Sequence, residues 1–151
     1  MYISSVNAYI GKLWLRANET HLLQVSFSPL SGKEKNNKIL NQAKIEIIEY
    51  MQGKRQEFSV PISFTGSEFQ VSVWKNLQLI PYGKVWTYKQ LAQYCGNPGA
   101  SRAAGGASHS NPLPIIVPCH RVISSCDNIG GYVAGRAIKQ KLLDMEVMNS
   151  L

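Results

Sequence analysis

The sequence predicts a mixed α/β (α+β) fold with a small N-terminal α/β subdomain, residues 1–65, and a mostly helical C-terminal domain, residues 66–151. Two observations predict this division. Before residue 65, apolar and polar residues alternate in short runs typical of strands. After it, most segments carry helix-capping residues and apolar residues at helical spacing. A length of 151 residues suits one compact unit or two small subdomains, and it excludes a large multidomain enzyme.

The N-terminal subdomain is predicted to contain three strands and one helix. Strand-like alternation is present at residues 12–17, 22–27 and 58–64. The polar turn 18–20 joins the first two strands, and Pro61 makes the third an edge strand because proline cannot donate to a ladder. Apolar residues at helical spacing over 37–52 predict an amphipathic helix that stops at Gly53. Nothing catalytic is visible in this subdomain.

Two capping boxes predict the first helices of the C-terminal domain. Thr65 and Glu68 have the spacing of such a box, and apolar residues continue at helical spacing to Leu77. Thr87 with Gln90 has the same spacing and predicts a second, shorter helix.

A further helix follows this short helix closely. Gly96 is placed to close the short helix, and Asn97 as N-cap with Pro98 at the first helical position predicts the start of the next one. Two short helices joined by a tight glycine turn form a helix-turn-helix.

The second helix of this pair carries almost no side-chain bulk. Its residues are Arg102, Ala103, Ala104, Gly105, Gly106 and Ala107. Each interior glycine costs about 1 kcal/mol relative to alanine, so a slim helix must be needed here. Close packing against another helix would explain it, and so would insertion into the DNA minor groove, which is roughly 6 Å wide.

The charge distribution also fits an anionic partner. The formal net charge is +7, and no acidic residue lies between Glu68 and Asp127. The basic residues in that stretch are Lys75, Lys84, Lys89, Arg102 and Arg121. The stretch is either a phosphate-facing surface or a chance gap in a chain that has only 9 acidic residues.

The cysteines and the hydropathy pattern indicate a reduced, intracellular protein. Cys95, Cys119 and Cys126 are odd in number and lack CxxC spacing, which argues against a disulfide framework or a cysteine-based zinc site. No apolar run is long enough to span a membrane, and the N-terminus lacks a signal-peptide core. We expect a soluble protein that is cytosolic, or nuclear in a eukaryote, with no membrane partner.

The segment around Cys119 is the candidate active site. An apolar run, residues 115–117, leads into Pro118, Cys119 and His120. A cysteine that ends such a run can be a small core residue, or it can be a nucleophile whose proton the imidazole takes. Adjacent side chains of an extended segment point to opposite faces, so the pair needs a turn or a bridging water to communicate.

This segment resembles the active-site signature of the O6-alkylguanine-DNA alkyltransferases. The signature is NPLPIIVPCHR at residues 111–121. The likeness continues, in the family's order, with FQVSVW at 69–74, IPYG at 80–83, TYKQLA at 87–92, RAAGGA at 102–107, GGY at 130–132, and LL at 142–143 with Glu146. The N-terminal part resembles the family only in outline.

The resemblance implies direct, irreversible transfer of an alkyl group from O6-alkylguanine in DNA to Cys119, with a single turnover and no cofactor. His120 would draw off the thiol proton through a water, and Glu146 would hold the histidine in its useful tautomer. Tyr88 would donate to guanine N3, and Asn111 would tie the DNA-binding helix to the active-site turn.

The resemblance also implies how DNA is bound. The partner would be double-stranded DNA carrying O6-alkylguanine, bound by a monomer that rotates the damaged nucleotide out of the stack. Arg102 would act as an arginine finger that fills the gap. The remaining DNA-binding residues would be Ala103, Ala104, Gly105, Gly106, Lys89 and Arg121, and the substrate pocket would be formed by Tyr88, Val122, Tyr132 and Val133.

Three features of the sequence depart from the family pattern. Val133 stands where several relatives have a serine near O6, and His109 stands where relatives often have an arginine. Relatives with a zinc site in the first subdomain use cysteine and histidine ligands. This chain has only His21 before residue 95, so we predict no metal.

Three alternatives to alkyl transfer fit part of the sequence. A non-catalytic alkyltransferase-like lesion binder would lack the acceptor cysteine, which is present here. A helix-turn-helix regulator would explain the charge and the helices but leaves Cys119 and His120 unexplained. A thiol hydrolase would use both residues but needs no slim basic helix.

Overall fold

The computed structural model describes residues 1–151, which divide into two compact units, Met1–Phe64 and Thr65–Leu151. The mixed α/β class predicted from the sequence is confirmed, with antiparallel strands in the first unit and most of the helices in the second. None of the helices combines the length and the hydropathy needed to cross a bilayer.

The first unit is built on a three-stranded antiparallel sheet. Its strands are β1 (Tyr2–Ala8), β2 (Gly11–Ala17) and β3 (Leu22–Ser26), in the order β1-β2-β3. Strands β2 and β3 match the predicted ones, and Asn18 Oδ1 shapes their turn by accepting from the amides of Thr20 at 2.8 Å and His21 at 2.7 Å.

Strand β1 was not predicted from the sequence. Polar residues interrupt its alternation, and a buried Ser4 lies beside Ile3 and Val6. The strand forms because it pairs with β2, with Val6 opposite Leu13. The local sequence pattern alone does not indicate it.

The predicted amphipathic helix is α1 (Lys38–Met51). Asn37 caps it, with Oδ1 accepting from the Leu40 amide at 2.9 Å. Its buried face is formed by Ile39, Leu40, Ala43, Glu46, Ile47 and Tyr50. The apolar members of this face pack against the sheet and form the core of the unit.

Residues 58–64 do not form the predicted edge strand. They make one parallel bridge, in which the Leu22 amide donates to Pro61 O at 2.8 Å and the Ser63 amide donates to Leu22 O at 3.2 Å. Pro61 has no amide hydrogen, and the amides of Ser59 and Val60 donate to the buried carboxylate of Glu46 at 2.7 and 3.0 Å. The donors that would extend a ladder are therefore used elsewhere.

In the second unit, α2 (Glu68–Leu77) begins at a different cap from the predicted one. Ser67 is the N-cap and Gln70 completes the box, in place of Thr65 and Glu68. The backbone at Ser67 is extended, and Gly66 before it lies against the ring of Trp74. A Cβ on Gly66 would stand 2.7 Å from that ring, so this close approach needs glycine.

The helix-turn-helix consists of α3 (Tyr88–Tyr94) and α4 (Ser101–His109). The predicted capping box of Thr87 and Gln90 is confirmed, as is closure at Gly96, whose φ is +80°. The prediction that Asn97 caps the second helix was wrong. Residues 97–100 form a turn instead, closed by the Ala100 amide donating to Asn97 O at 3.0 Å.

A short parallel ladder positions the start of α3 beside the active-site segment. Strand β4 (Trp86–Thr87) pairs with β5 (Val122–Ile123), which directly follows a 3-10 turn at Cys119–Arg121. Helix α5 (Arg136–Asn149) packs against this turn.

We predict that Glu46→Ala lowers the free energy of unfolding by about 1–3 kcal/mol, because it leaves the Val60 amide buried without its acceptor. Urea unfolding followed by circular dichroism measures the change. Glu49→Ala is the control, since its pair with Arg55 is partly exposed and should contribute less than about 1 kcal/mol. Equal losses in the two variants would contradict this role of Glu46.

Candidate active site

The backbone around Cys119 is tightly turned. The Cys119 amide donates to Val117 O at 2.8 Å, and the Arg121 amide donates to Pro118 O at 3.0 Å. Ile115, upstream of the turn, has φ +76°, a conformation that is rare for a β-branched residue and costs on the order of 1–3 kcal/mol. The turn removes the geometric objection to a Cys119–His120 pair, because the two residues do not lie in an extended strand.

A buried carboxylate organises the turn from the opposite side. Glu146 of α5 has one oxygen 2.8 Å from His120 Nε2. Arg121 donates to both carboxylate oxygens, from Nε at 2.8 Å and from Nη2 at 2.9 Å. Arg121 Nη1 also donates to Ile80 O at 2.8 Å. The predicted His120–Glu146 pair is therefore part of a buried network of three side chains.

Arg121 does not occupy the predicted DNA-binding position. Its side chain is buried in the bidentate pair with Glu146, and its guanidinium also lies over the ring of Tyr82, 5.5 Å from the centroid. A buried carboxylate and a buried guanidinium each require an opposite charge, and the fold satisfies both with one contact. Arg121 positions Glu146.

The charges of this network fix the tautomer of His120. Burial on its own would raise the pKa of Glu146, but hydrogen bonds from His120 and Arg121 outweigh it and lower that pKa to about 2. Burial lowers the pKa of His120, so the ring is neutral at pH 7. Because an ionised carboxylate only accepts hydrogen bonds, the ring proton lies on Nε2 and Nδ1 carries the basic lone pair.

Asn111 joins the end of α4 to the active-site turn. Its Nδ2 donates to Val117 O at 2.9 Å, and its Oδ1 accepts from the Leu113 amide at 3.0 Å. The amide also contributes a hydrogen bond that lowers the pKa of Cys119. The residue thus links the helix-turn-helix, the turn and the sulfur.

Burial dominates the ionisation of Cys119. It raises the pKa of the thiol to about 11, against the opposing effects of the Asn111 hydrogen bond and the charge of Lys139. The thiol is therefore protonated at pH 7, and a thiolate would form only with the help of a base.

Lys139 is a site residue that the sequence reasoning missed. It is fully buried in α5, and its Nζ donates to Val122 O at 2.6 Å and to Gly131 O at 3.1 Å. Burial lowers the pKa of Lys139 to about 8. A signal was present, because residue 139 stands at helical spacing from Leu142, Leu143 and Glu146 on the buried face of α5.

A small cavity lies in front of the sulfur. Its lining includes the predicted residues Tyr88, Asn111, Cys119, Tyr132 and Val133. Ser108, His109 and Gly131 complete the lining and were not predicted as pocket residues. Val122, which was predicted as a pocket residue, does not line the cavity, and its carbonyl accepts from Lys139. The cavity volume is about 10 Å³, close to the space of one water.

The slim helix α4 has a packed face and an open face. Ala104 is buried, and a Cβ on Gly105 would stand 3.4 Å from the Tyr88 ring, so both residues serve packing. Arg102, Ala103 and Gly106 lie on the exposed face, and a Cβ on Gly106 would meet no atom within 4 Å. The predicted DNA contact of Ala104 is therefore wrong. Packing inside the unit explains Gly105 but not Gly106.

Lys89 of α3 is a further exposed basic residue of the helix-turn-helix.

Tyr88 of α3 is half-buried. Its burial raises the pKa of the phenol, and the nearby Cys119 raises it further. The phenol therefore keeps its proton at pH 7 and is available as a donor.

Comparison with known proteins places the chain in a family. Residues 68–148 match the DNA-binding domain of 6-O-methylguanine DNA methyltransferase, and residues 1–64 match the ribonuclease-like domain of the same protein. The methylated-DNA–protein-cysteine methyltransferase of Methanosarcina barkeri is 39% identical to this chain over 99% of each sequence. The constitutive protein of that description from Bacillus subtilis is 43% identical over 96% of this chain and 94% of its own.

Solved structures agree with these sequence matches. Mycobacterium tuberculosis OGT in complex with DNA superposes with a TM-score of 0.92 at 33% identity, covering 99% of this chain and 94% of that protein. The chain belongs to the 6-O-methylguanine DNA methyltransferase family. Within that family it is an enzyme of the methylated-DNA–protein-cysteine methyltransferase class.

The low pKa of Glu146 leads to a prediction about acid stability. A carboxyl group whose folded-state pKa is depressed stabilises the fold above its ordinary value of 4.5, and this contribution is lost as the pH falls toward 2. Glu146→Gln should remove the dependence in that window. At pH 7 the variant should be less stable by about 3 kcal/mol, because Arg121 stays buried without a counter-charge.

Urea unfolding between pH 2 and 8 measures both effects. Asp144→Asn is the matched control, since it removes an exposed carboxylate from the same helix. If Glu146→Gln kept the acid dependence of the parent protein, the role assigned to the buried carboxylate would be wrong.

Proposed function

We propose that this protein repairs O6-alkylguanine in double-stranded DNA by moving the alkyl group irreversibly to Cys119. The observation that carries the proposal is the position of Cys119. It lines a cavity with Tyr88, beside a buried His120–Glu146 pair and next to a helix with a slim, exposed face. The family relationship supports alkyl transfer in DNA repair with DNA as the partner.

His120 is proposed to remove the proton from the resting thiol. The neutral ring presents a basic Nδ1, and Glu146 compensates the charge that forms on the imidazole. We propose that a bridging water carries the proton from the sulfur to Nδ1. Asn111 and Lys139 assist, because both favour the thiolate.

The thiolate then attacks the alkyl carbon in a single displacement. A carbon–sulfur bond forms, the bond from carbon to O6 breaks, and its electron pair stays on the guanine. Tyr88 donates a hydrogen bond to guanine N3 and offsets the developing charge. The proton taken from the thiol balances the proton that the guanine ring gains.

The product thioether explains why a single turnover is expected. Hydrolysis of an S-alkylcysteine would require water to displace a thiolate from a saturated carbon, and such a thioether is stable in water. Each molecule of protein therefore repairs one lesion and is consumed. We propose that it acts as a monomer.

DNA is proposed to bind through the exposed face of α4 in the minor groove. Gly106 and Ala103 leave room for the groove walls, and Lys89 contacts phosphate. A buried O6 atom cannot reach Cys119 from within the base stack, so the nucleotide is rotated outward at a cost of a few kcal/mol. Arg102, exposed near the start of α4, fills the gap left in the duplex.

Labelling of the cysteine tests the transfer. Incubation with a duplex oligonucleotide containing O6-methylguanine should add one methyl group to the peptide that carries Cys119, detected by mass spectrometry. Cys119→Ser should abolish this product, because a hydroxyl oxygen is a far weaker nucleophile toward a saturated carbon than a thiolate. An unmodified peptide beside a persistent lesion would refute the proposal. Repeated turnover on an acyl substrate would favour a thiol hydrolase.

Two substitutions at Arg102 test the arginine finger. Arg102→Ala should slow methyl transfer from duplex DNA by about 10-fold or more, and less from a single strand, where no gap must be filled. Arg102→Lys should restore DNA affinity without the full rate, because an ammonium group retains the charge but not the planar, stacking guanidinium. Full recovery of the rate by lysine would assign Arg102 to a phosphate contact. Single-turnover kinetics on both substrates distinguish these outcomes.

A further inference from the structure

The cavity in front of Cys119 is too small for the base that the proposed function requires. A volume of about 10 Å³ accommodates roughly one water, and a two-ring purine is many times larger. Part of the lining must therefore move before a substrate reaches the sulfur. The exposed members of the lining are His109, Gly131 and Val133.

His109 and Gly131 meet across this cavity from different elements. His109 is the last residue of α4, whereas Gly131 lies in the segment between β5 and α5. The ring atom Cε1 of His109 is 3.3 Å from the position that a Cβ on Gly131 would occupy, and Nε2 is 3.7 Å from it. A side chain at residue 131 would press on the imidazole, so the contact depends on glycine.

On the side away from His109, segment 130–133 is held by hydrogen bonds from Lys139. Lys139 Nζ donates to Gly131 O at 3.1 Å and to Val122 O at 2.6 Å, which ties the segment to the active-site strand. Gly130 has φ +78°, and a Cβ there would stand 2.8 Å from Ser124 Oγ. The segment is thus fixed at its back by a buried lysine and a tight turn, and its front edge meets an exposed imidazole.

We infer that His109 is a specificity-determining residue of the alkyl-transfer site. Its ring, packed against Gly131, sets the width of the opening between α4 and segment 130–133. The width limits how bulky an O6 substituent can be when the base approaches Cys119. The inference rests on the proposed function, because it concerns access to the same acceptor sulfur.

Two duplex oligonucleotides that differ only in the O6 substituent, methyl or benzyl, test this inference. Single-turnover rate constants for alkylation of Cys119 are measured for the parent protein and for His109→Ala. The ratio of the benzyl rate to the methyl rate should rise by about 10-fold in the variant, since removal of the ring widens the opening. Effects on DNA binding cancel in this ratio because the two duplexes are otherwise identical. His21→Ala, a histidine change in the other unit, should leave the ratio unchanged.

A double substitution tests the contact itself. Gly131→Ala is compatible with the backbone, because no positive φ is present there, but its Cβ would push the His109 ring by a few tenths of an ångström. It should lower the benzyl-to-methyl ratio when His109 is present and have little effect in the His109→Ala background. Additive effects, or an unchanged ratio in His109→Ala, would overturn the inference. If the parent protein itself failed to accept methyl on Cys119, the proposed function would fail instead.

Discussion

The buried carboxylate of Glu146 is the contact on which the arrangement of the active-site turn depends. It lies on α5, yet it fixes two successive residues of the turn, His120 through Nε2 and Arg121 through a bidentate pair. A carboxylate buried without a counter-charge would be strongly destabilising, and the guanidinium of Arg121 supplies that charge. The same contact therefore stabilises the turn and sets the histidine tautomer.

Burial keeps the Cys119 thiol in its protonated form. It raises the pKa of Cys119 to about 11, so the sulfur is protonated at pH 7. The groups that oppose this effect, Asn111 and Lys139, also hold the surrounding backbone in place. Each of these two side chains therefore both supports the backbone and lowers the pKa of the Cys119 thiol.

Helix α4 has one face that packs closely inside the unit and another that is exposed and free of bulky side chains. Its inner face packs closely, with Gly105 against Tyr88 and the Ala107 carbonyl accepting from Trp74 Nε1 at 2.8 Å. Its outer face stays free of bulk at Ala103 and Gly106. Internal packing accounts for Gly105, and the open space beside Gly106 is compatible with the proposed groove contact.

Local signals in the sequence determined the class of fold, the helix α1 and the capping box at Thr87. The Cys119–His120 segment was singled out by its resemblance to a family signature. Helix periodicity, capping and turn chemistry act over a few residues, so they can be predicted from the sequence. Strand β1 could not be predicted from local sequence, because it depends on pairing with β2. The absence of a strand at 58–64 could not be predicted either, because it depends on hydrogen bonds to the carboxylate of Glu46. Competition for hydrogen-bond donors is settled only when the chain is folded.

The same physical limit explains the residues whose roles changed. An arginine in a basic stretch predicts phosphate contact, and only the packing of α5 decided that Arg121 faces inward toward Glu146. Lys139 carried a periodic signal of burial, but its acceptors, two backbone carbonyls from other parts of the chain, exist only in the tertiary structure. Sequence by itself determined which chemical groups this protein has and, where capping and helical periodicity were strong, their local conformation. The tertiary structure decided which of them share one buried environment, because burial and pairing are properties of neighbours that lie far apart along the chain.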